Sequence, residues 1–476
     1  MGPQSGSGEA VAAAPNRAQD GPWSPGLRPL TIGLLLNVLG VAFEALAVST
    51  VMPLVVADLG RQDLYGWVFS AFLLANLVGI VVGGLHADAS GPAGPFIWGV
   101  ALFSAGLVLG GLAPTMEILV AARVLQGFGG GGLGSVAYVA VGRAYPESAR
   151  PRMLALLSTG WVLPGLIGPV AAERIGTIAS WHWVFLALAP IPALAAILAL
   201  PQLRAIGGGT PKPGGRQRVA FAVALSAGAG LVLAGLGQVA LAPLLAVGLS
   251  VLGLALGVPA ARRLLPPGAL RAAPGLPAAV VTLLLLNVAL VGVDAFIPLQ
   301  MAEVRGQPIW VGSITLTAIS LSWTAGSWLQ ARFAPTGRRR SLVRAGLAAT
   351  TLGTVGMAAV MSPTVPPLLA PLIWGIGGLG IGLAFSTLSL IVLETASPGQ
   401  EGEASSALQL ANVLGSAFGA GIGGAFVATI GGPGGSLSTA LLVQYLAMAA
   451  ILGLALLVAG RLPRRREAAG ALGEAA

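Results

Sequence analysis

Three charged side chains stand inside long apolar runs of this 476-residue chain: Glu44, Arg123 and Asp294. Each acid lies roughly 14 residues into its run, near the middle of a bilayer at about 1.5 Å per helical residue. A charge at that depth costs several kcal/mol or more, so it should face a cavity or a partner. Burial favours the neutral form of a carboxyl, which suits such a group to take up and release protons. Glu44 is therefore expected to be the main proton-binding group, with Asp294 supporting it or contacting a cationic substrate. The alternative for each is a permanently protonated or hydrogen-bonded acid that only packs helices. Arg123 lies about seven residues from the outer end of its run, too deep to snorkel outward. It needs a counter-charge, whether in transport or in a purely structural ion pair.

A second set of residues can shape or line a pathway. The tenth apolar run carries seven hydroxyls, Ser313, Thr315, Thr317, Ser320, Ser322, Thr324 and Ser327, with Trp323 and Trp328. They either line a cavity and stack planar apolar substrates or hydrogen-bond neighbouring helices. Gln409 and Asn412, one turn apart in the thirteenth run, have the same two readings. Pro164 and Pro169 each remove a helix hydrogen bond and should bend the fifth run. That bend either serves alternating access or is static. Trp181 and Trp183 fall at an outer boundary, where indole rings anchor. Glu394, Glu401 and Glu403 bracket a loop and are expected to be solvated.

The elements that must position these residues follow from composition. Hydrophobic residues make up 55% of the chain and charged residues 9%, against roughly a quarter charged in a soluble domain, and the mean hydropathy is +0.88. Lipid must be the solvent. With about 20 apolar residues per membrane crossing, fourteen runs can be counted, beginning near Leu30, Tyr65, Pro95, Met116, Met153, Trp183, Val219, Ala242, Ala278, Ile309, Leu342, Val365, Ser405 and Ser438. Fourteen spans with the N-terminus inside place 21 of the 25 Lys and Arg on the cytoplasmic side, three outside (Arg61, Arg174 and Arg305) and Arg123 within a span. That asymmetry is the one membrane proteins show. A single span over 219–260 would invert the second half and turn Arg338, Arg339 and Arg340 outward.

The runs also repeat. Leu34-Leu35-Leu36-Asn37-Val38 in the first recurs as Leu284-Leu285-Leu286-Asn287-Val288 in the ninth, and in each an acid follows the Asn by seven residues. Gln126-Gly127-Phe128-Gly129-Gly130 in the fourth is echoed by Trp374-Gly375-Ile376-Gly377-Gly378 in the twelfth. Two similar six-helix halves flank an extra helix pair. The boundaries read as a disordered cytoplasmic tail (1–28), a six-helix bundle (29–201), a cytoplasmic linker (202–218), two additional transmembrane helices (219–262), a second linker (263–277), a second six-helix bundle (278–461) and a cytoplasmic tail (462–476).

These residues resemble the major facilitator superfamily, and within it the fourteen-helix drug:proton antiporter branch, over nearly the whole chain. Arg123-Val124-Leu125-Gln126-Gly127-Phe128-Gly129 looks like the family's Arg-x-x-Gln-Gly-x-Gly signature. Gly165-Leu166-Ile167-Gly168-Pro169 is similar to its antiporter motif, with Ala172-Glu173 where the family usually has Gly-Gly. Gly84 to Gly91, with Asp88, resembles the cytoplasmic Gly-x-x-x-Asp-x-x-Gly-Arg loop, with Pro92-Ala93-Gly94 in place of the following arginines. Trp181-His182-Trp183 is similar to the Trp-Arg-Trp stretch opening the sixth span. The resemblance implies an all-α fold of two six-helix bundles around a central cavity, and an Arg123 that approaches Glu44 and tunes its proton affinity. Asn37, Asn287, Gln126, Gly165, Gly168, Pro169, Asp88, Trp323, Gln409 and Asn412 are candidates for the cavity or its gates.

Other chemistries are excluded by residue type. With no cysteine and only His86 and His182 there is no thiolate, disulfide or histidine metal cluster. Lys212, the one lysine, precedes Pro213, so no phosphate-binding Gly-Lys-Ser/Thr loop exists. Gly127 to Gly132 satisfies the dinucleotide pattern but interrupts an apolar helix, where small residues serve close packing. No Gly-x-Ser-x-Gly supports an intramembrane enzyme, the weakest alternative. The expectation is a proton-coupled secondary transporter that exports lipophilic, cationic small molecules by alternating access, a monomer with no cofactor and no nucleic-acid partner, driven by the proton gradient. A transporter of a metabolite, sugar or lipid would share every motif. The Ala/Gly/Arg-rich composition points to a GC-rich bacterial genome, hence the bacterial inner (plasma) membrane, with both termini cytoplasmic.

Overall fold

The structure, a computed structural model, describes residues 21–209, 214–333, 338–395, 401–432 and 434–463. Lys212, Arg464, Arg465, Arg466 and the side chains of Glu401 and Glu403 lie outside them. Among the described residues, fourteen helices are long and apolar enough to cross a membrane. They are α1 (Arg28–Leu59), α2 (Gln62–Ser90), α3 (Ala93–Gly111), α4 (Met116–Ala144), α5 (Arg152–Ile178), α6 (Trp181–Ala205), α7 (Gly215–Gly237), α8 (Pro243–Leu264), α9 (Leu276–Val304), α10 (Ile309–Phe333), α11 (Arg339–Ala359), α12 (Pro367–Val392), α13 (Ser406–Ile430) and α14 (Leu437–Arg461). In lipid every backbone group must be satisfied within its own segment, so apolar runs of this length become helices. The chain runs up and down. One face gathers Arg143, Arg204, Arg262, Arg263 and Arg332 in helix last turns, and is called the basic face below. The opposite, far face carries Arg61, Arg174 and Arg305.

Several starts on the far face are fixed by side-chain caps: Thr115 accepts from the Ile118 amide, Ser180 from His182 and Ser436 from Thr439. On the basic face, the turn from α2 to α3 depends on Gly91 at φ 90°, where a Cβ would also come within 2.7 Å of the Ile206 carbonyl oxygen. Residues 21–27, placed in a disordered tail by the sequence, form turns, and Thr31 Oγ1 donates to the Pro22 carbonyl at 2.6 Å. In α5 the helix breaks at Gly160 and Trp161, between segments Arg150–Thr159 and Val162–Ile178. Pro164 lies in the first turn of the second segment, where its missing N–H would have no helical partner anyway.

Glycine seams set the closest contacts within each half. Gly127 and Gly131 of α4 rest on the backbone of Phe72 and Asn76 in α2, and Gly378 and Gly382 of α12, 251 residues later, rest on Ile319 and Trp323 in α10. Any larger side chain would meet backbone. The two halves meet through α2 against α13 and α5 against α10. Towards the far face, Gly66 lies against Gly424, the Tyr65 ring packs 5.1 Å from that of Phe296, the Tyr65 hydroxyl donates to the Ala295 carbonyl at 2.8 Å, and Ser70 donates to Ala417 at 3.1 Å. The basic face instead shows ion pairs within each half: Asp88 with Arg143 at 3.1 Å, and Arg339 with Glu394. Glu394 is exposed, as the sequence suggested, and is ion-paired as well. The halves are closed on the far side.

Of the extra pair, α8 packs outside the core, with Leu244 90% exposed. α7 lies on the seam between the halves. Ser226 donates to the Leu74 carbonyl of α2 at 3.0 Å, and Leu233 sits against Gly421 of α13.

Gly66→Leu should prise the far-side contact apart. Because the chain has no native cysteine, the check is faster labelling of a single reporter, Ser70→Cys, by a membrane-impermeant maleimide when Gly66→Leu is present.

Candidate functional site

The centre of the first half is an ion pair between Glu44 of α1 and Arg123 of α4, with side chains 0% and 3% exposed. Arg123 is held from several sides. Its Nε donates to the Val68 carbonyl of α2 at 2.9 Å, Nη1 donates to Gln126 Oε1, and the guanidinium carbon lies 4.3 Å from the centre of the Phe72 ring. A planar guanidinium can serve all these partners at once, which an ammonium could not. The same glycine seam that brings α4 against α2 puts the Val68 carbonyl and Phe72 ring within reach. Glu44 uses one oxygen on Arg123, while Oε2 has no hydrogen-bond partner among the described residues. The carboxyl therefore keeps a free position for a proton or a cation.

The second half repeats the arrangement with different chemistry. Asp294 of α9 accepts from the indole Nε1 of Trp374 in α12 at 2.9 Å. An acid on the first helix of each half is thus met by a donor from the fourth helix, a cation in one case and a neutral indole in the other. Asp294 is also the last residue of the regular part of α9. Beyond it the chain turns through Ala295 and Phe296 and ends in a π-helical stretch over Gln300–Val304. Wide turns of this kind recur at functional sites.

The other sequence candidates are distributed as follows. Gln126 is fully buried beside Arg123, and Asn37 is buried two turns below Glu44 on α1. Asn287 donates to its own helix at the Leu283 carbonyl, 2.8 Å away, so its amide is spent locally. Gly165 packs on Ser320 of α10, and a Cβ there would come within 2.8 Å of the Ser320 Cβ, whereas Gly168 has ordinary contacts with Phe43 and Leu46. Pro169 lies inside the second segment of α5. Asp88 is on the basic face with Arg143, away from the midplane pair. Trp323 is half-buried, its ring 5.5 Å from that of Phe385. Gln409 and Asn412 are half-buried on α13.

One reading is corrected and another is made more specific. Trp181 is buried rather than at a lipid boundary, its indole donating to Asp58 at 2.9 Å, while Trp183 is 55% exposed as an anchor should be. Of the α10 hydroxyls, Ser313, Thr315, Ser320, Ser322 and Thr324 donate to carbonyls of their own helix, and Ser327 accepts from Ser386 of α12. The five back-bonded ones bond the carbonyl one turn back rather than a neighbouring helix. Tyr65, Phe72 and Trp374 were missed as partners. The one signal lay in the repeat: the glycine echo set Trp374 against Gln126, but at the 251-residue offset of the glycine seams Trp374 takes the place of Arg123.

The sequence profile of the Major Facilitator Superfamily matches residues 30–420. The chain belongs to that superfamily. Its relatives include a "Probable multidrug-efflux transporter" of Mycobacterium tuberculosis, 27% identical over 86% of this chain and 89% of that protein. "Multidrug resistance protein 3" of Bacillus subtilis is 34% identical, over 35% of this chain and only 32% of its own length. Solved major facilitator structures share the fold. A D-xylose-proton symporter superposes with a TM-score of 0.63 at 13% identity, covering 90% of this chain and 97% of that one. A POT family transporter in complex with 5-aminolevulinic acid gives 0.64 at 14% identity, over 90% and 96%. Members of this superfamily are transporters, not enzymes.

Arg123→Ala leaves the Glu44 charge buried and unpaired, and should destabilise the protein by about 3–5 kcal/mol. Adding Glu44→Gln should recover a large part of the loss. Thermal unfolding midpoints of the two variants in detergent check this, and equal midpoints would refute the pairing.

Proposed function

We propose that this major facilitator protein is a proton-coupled exporter of lipophilic cations. The observation that carries the reading is the Glu44–Arg123 pair with its uncommitted carboxyl oxygen, buried halfway along α1. Protonating Glu44 releases Arg123 from its counter-charge, and a cation arriving beside a deprotonated Glu44 takes the place of the proton. Either event changes how α1 is held to α4. Exclusion of proton and cargo from simultaneous binding is what exchange needs, and a closed far side means that the next state must open there.

Two acids against one arginine favour cationic cargo, and Asp294, tethered only through a neutral indole, supplies the second negative charge. The names of the mycobacterial and Bacillus relatives point the same way. The basic face is read as cytoplasmic from its arginines, which puts both termini inside and the far face outside, in a bacterial inner membrane.

In everted membrane vesicles, tetraphenylphosphonium or ethidium should dissipate an imposed pH gradient through the wild-type protein. Glu44→Gln should abolish that dissipation, and Asp294→Asn should weaken it for cations more than for neutral compounds. Gradient-driven efflux at the wild-type rate by a folded Glu44→Gln protein would sink the reading.

A further inference from the structure

The far-side closure and the second acid meet at one place, the interruption of α9. Pro298, four residues after Asp294, has no N–H to return to the Asp294 carbonyl, so the helix cannot run regularly across these residues. Each side of the interruption is anchored separately. Before it, Gly415 and Gly419 of α13 rest on the backbone of Leu284 and Val288, and Gln444 of α14 donates to the Gly292 carbonyl. Beyond it, Gln300 donates to the Met357 carbonyl of α11 at 2.9 Å and accepts from the Tyr445 hydroxyl of α14 at 3.0 Å. Arg305 donates to the Val365 carbonyl at 2.9 Å.

The residues in between are gripped from both halves of the molecule. Trp374, of the same half, donates to the Asp294 carboxylate at 2.9 Å. Tyr65, of the other half, donates to the carbonyl of the very next residue, Ala295, at 2.8 Å, and its ring packs on that of Phe296. Tyr65 and Phe296 are fully buried, and a hydroxyl at that depth is costly to leave without an acceptor. Asp294 keeps part of its surface accessible, unlike Glu44. An acid that a solute can reach is therefore one peptide unit away from a hydrogen bond that holds the far side shut. Ser70 also bonds the second half, but through Ala417 of α13, well away from the acid in sequence.

We propose that the Tyr65 hydroxyl is the latch through which cargo at Asp294 opens the far side. A cation bound at Asp294 draws the carboxylate off the Trp374 indole, the backbone at Ala295 turns with it, and the Tyr65 bond is given up as the halves part. A short interruption between two anchored helical parts is where such a turn can be absorbed. The proposal rests on the reading of Asp294 as a cargo-binding acid. Tyr65 acts through the α9 backbone, as a positioning residue.

The test uses the full chain in lipid nanodiscs, with spin labels on two introduced cysteines, Pro114→Cys and Thr364→Cys. Both positions are exposed, one on the far face of each half. Double electron–electron resonance reads the separation of the labels with and without tetraphenylphosphonium, whose binding is measured on the same samples. In the labelled parent, tetraphenylphosphonium should raise the open population, and Asp294→Asn should remove that response. Tyr65→Phe keeps the ring on Phe296 and removes only the hydroxyl. It should raise the open-to-closed ratio about fivefold without cargo, the worth of one hydrogen bond, and leave little further rise when tetraphenylphosphonium is added. Ser70→Ala, which cuts the bond to Ala417, should loosen the closure while the response to cargo stays whole.

Parent-like separations in Tyr65→Phe, or a full response to cargo in Tyr65→Phe or Asp294→Asn, would overturn the latch. So would a lost response in Ser70→Ala, which would trace the loss to loosening alone. If tetraphenylphosphonium binds the parent without moving the labels, the latch fails and the cargo reading stands. If it does not bind, the cargo reading fails and the latch falls with it.

Discussion

A guanidinium in the hydrocarbon layer must be paired, and much of the first half is arranged around that need. Arg123 cannot reach either surface, so α1 has to bring an acid, α2 a carbonyl and an aromatic face, and α4 its own glutamine. Such a pair contributes little net stability over apolar packing but is expensive to break. It therefore acts as a constraint on how α1, α2 and α4 can sit together. The glycines of α4 serve the same constraint, since only a backbone-to-backbone approach lets one side chain satisfy groups on both neighbours.

The repeated architecture is visible in polar chemistry as well as in helix count. Asp88 and Arg143 on the basic face are 55 residues apart, and so are Arg339 and Glu394. The two pairs occupy positions 251 residues apart with the signs exchanged. The first joins the ends of α2 and α4, and the second joins the start of α11 to the end of the α12 helix, both on the basic face. At mid-depth the two halves diverge, with a full ion pair in one and an indole-bound acid in the other. The halves share a scaffold and differ where the bound charge is handled.

Much of the fold was legible because lipid imposes a simple rule on sequence. Apolar length gave the fourteen helices and the Asn-to-acid echo pointed to the repeat. The depth of Arg123 asked only for a counter-charge, and it was the resemblance to the Arg-x-x-Gln-Gly-x-Gly signature that implied Glu44 as the partner. What the sequence hid were contacts set by helix rotation. Trp181 and Trp183 are two residues apart, yet one is buried on Asp58 and the other faces outward. Hydroxyls of α10 that looked available are spent on their own backbone, and Glu173, beside the exposed Arg174, gave no sign of burial. Periodicity locates a residue along a helix far better than it locates a side chain around it.

The position of α7 on the seam bears on how the molecule is assembled. Chains are made from the N-terminus, and early segments pack before later ones exist. α7 can therefore settle on α2, through Ser226 and Leu74, while α13 is still unmade. When α13 is inserted it meets a surface composed of both α2 and α7, with Leu233 already placed opposite Gly421. The surface on which α13 packs is thus made of helices that precede it in the chain.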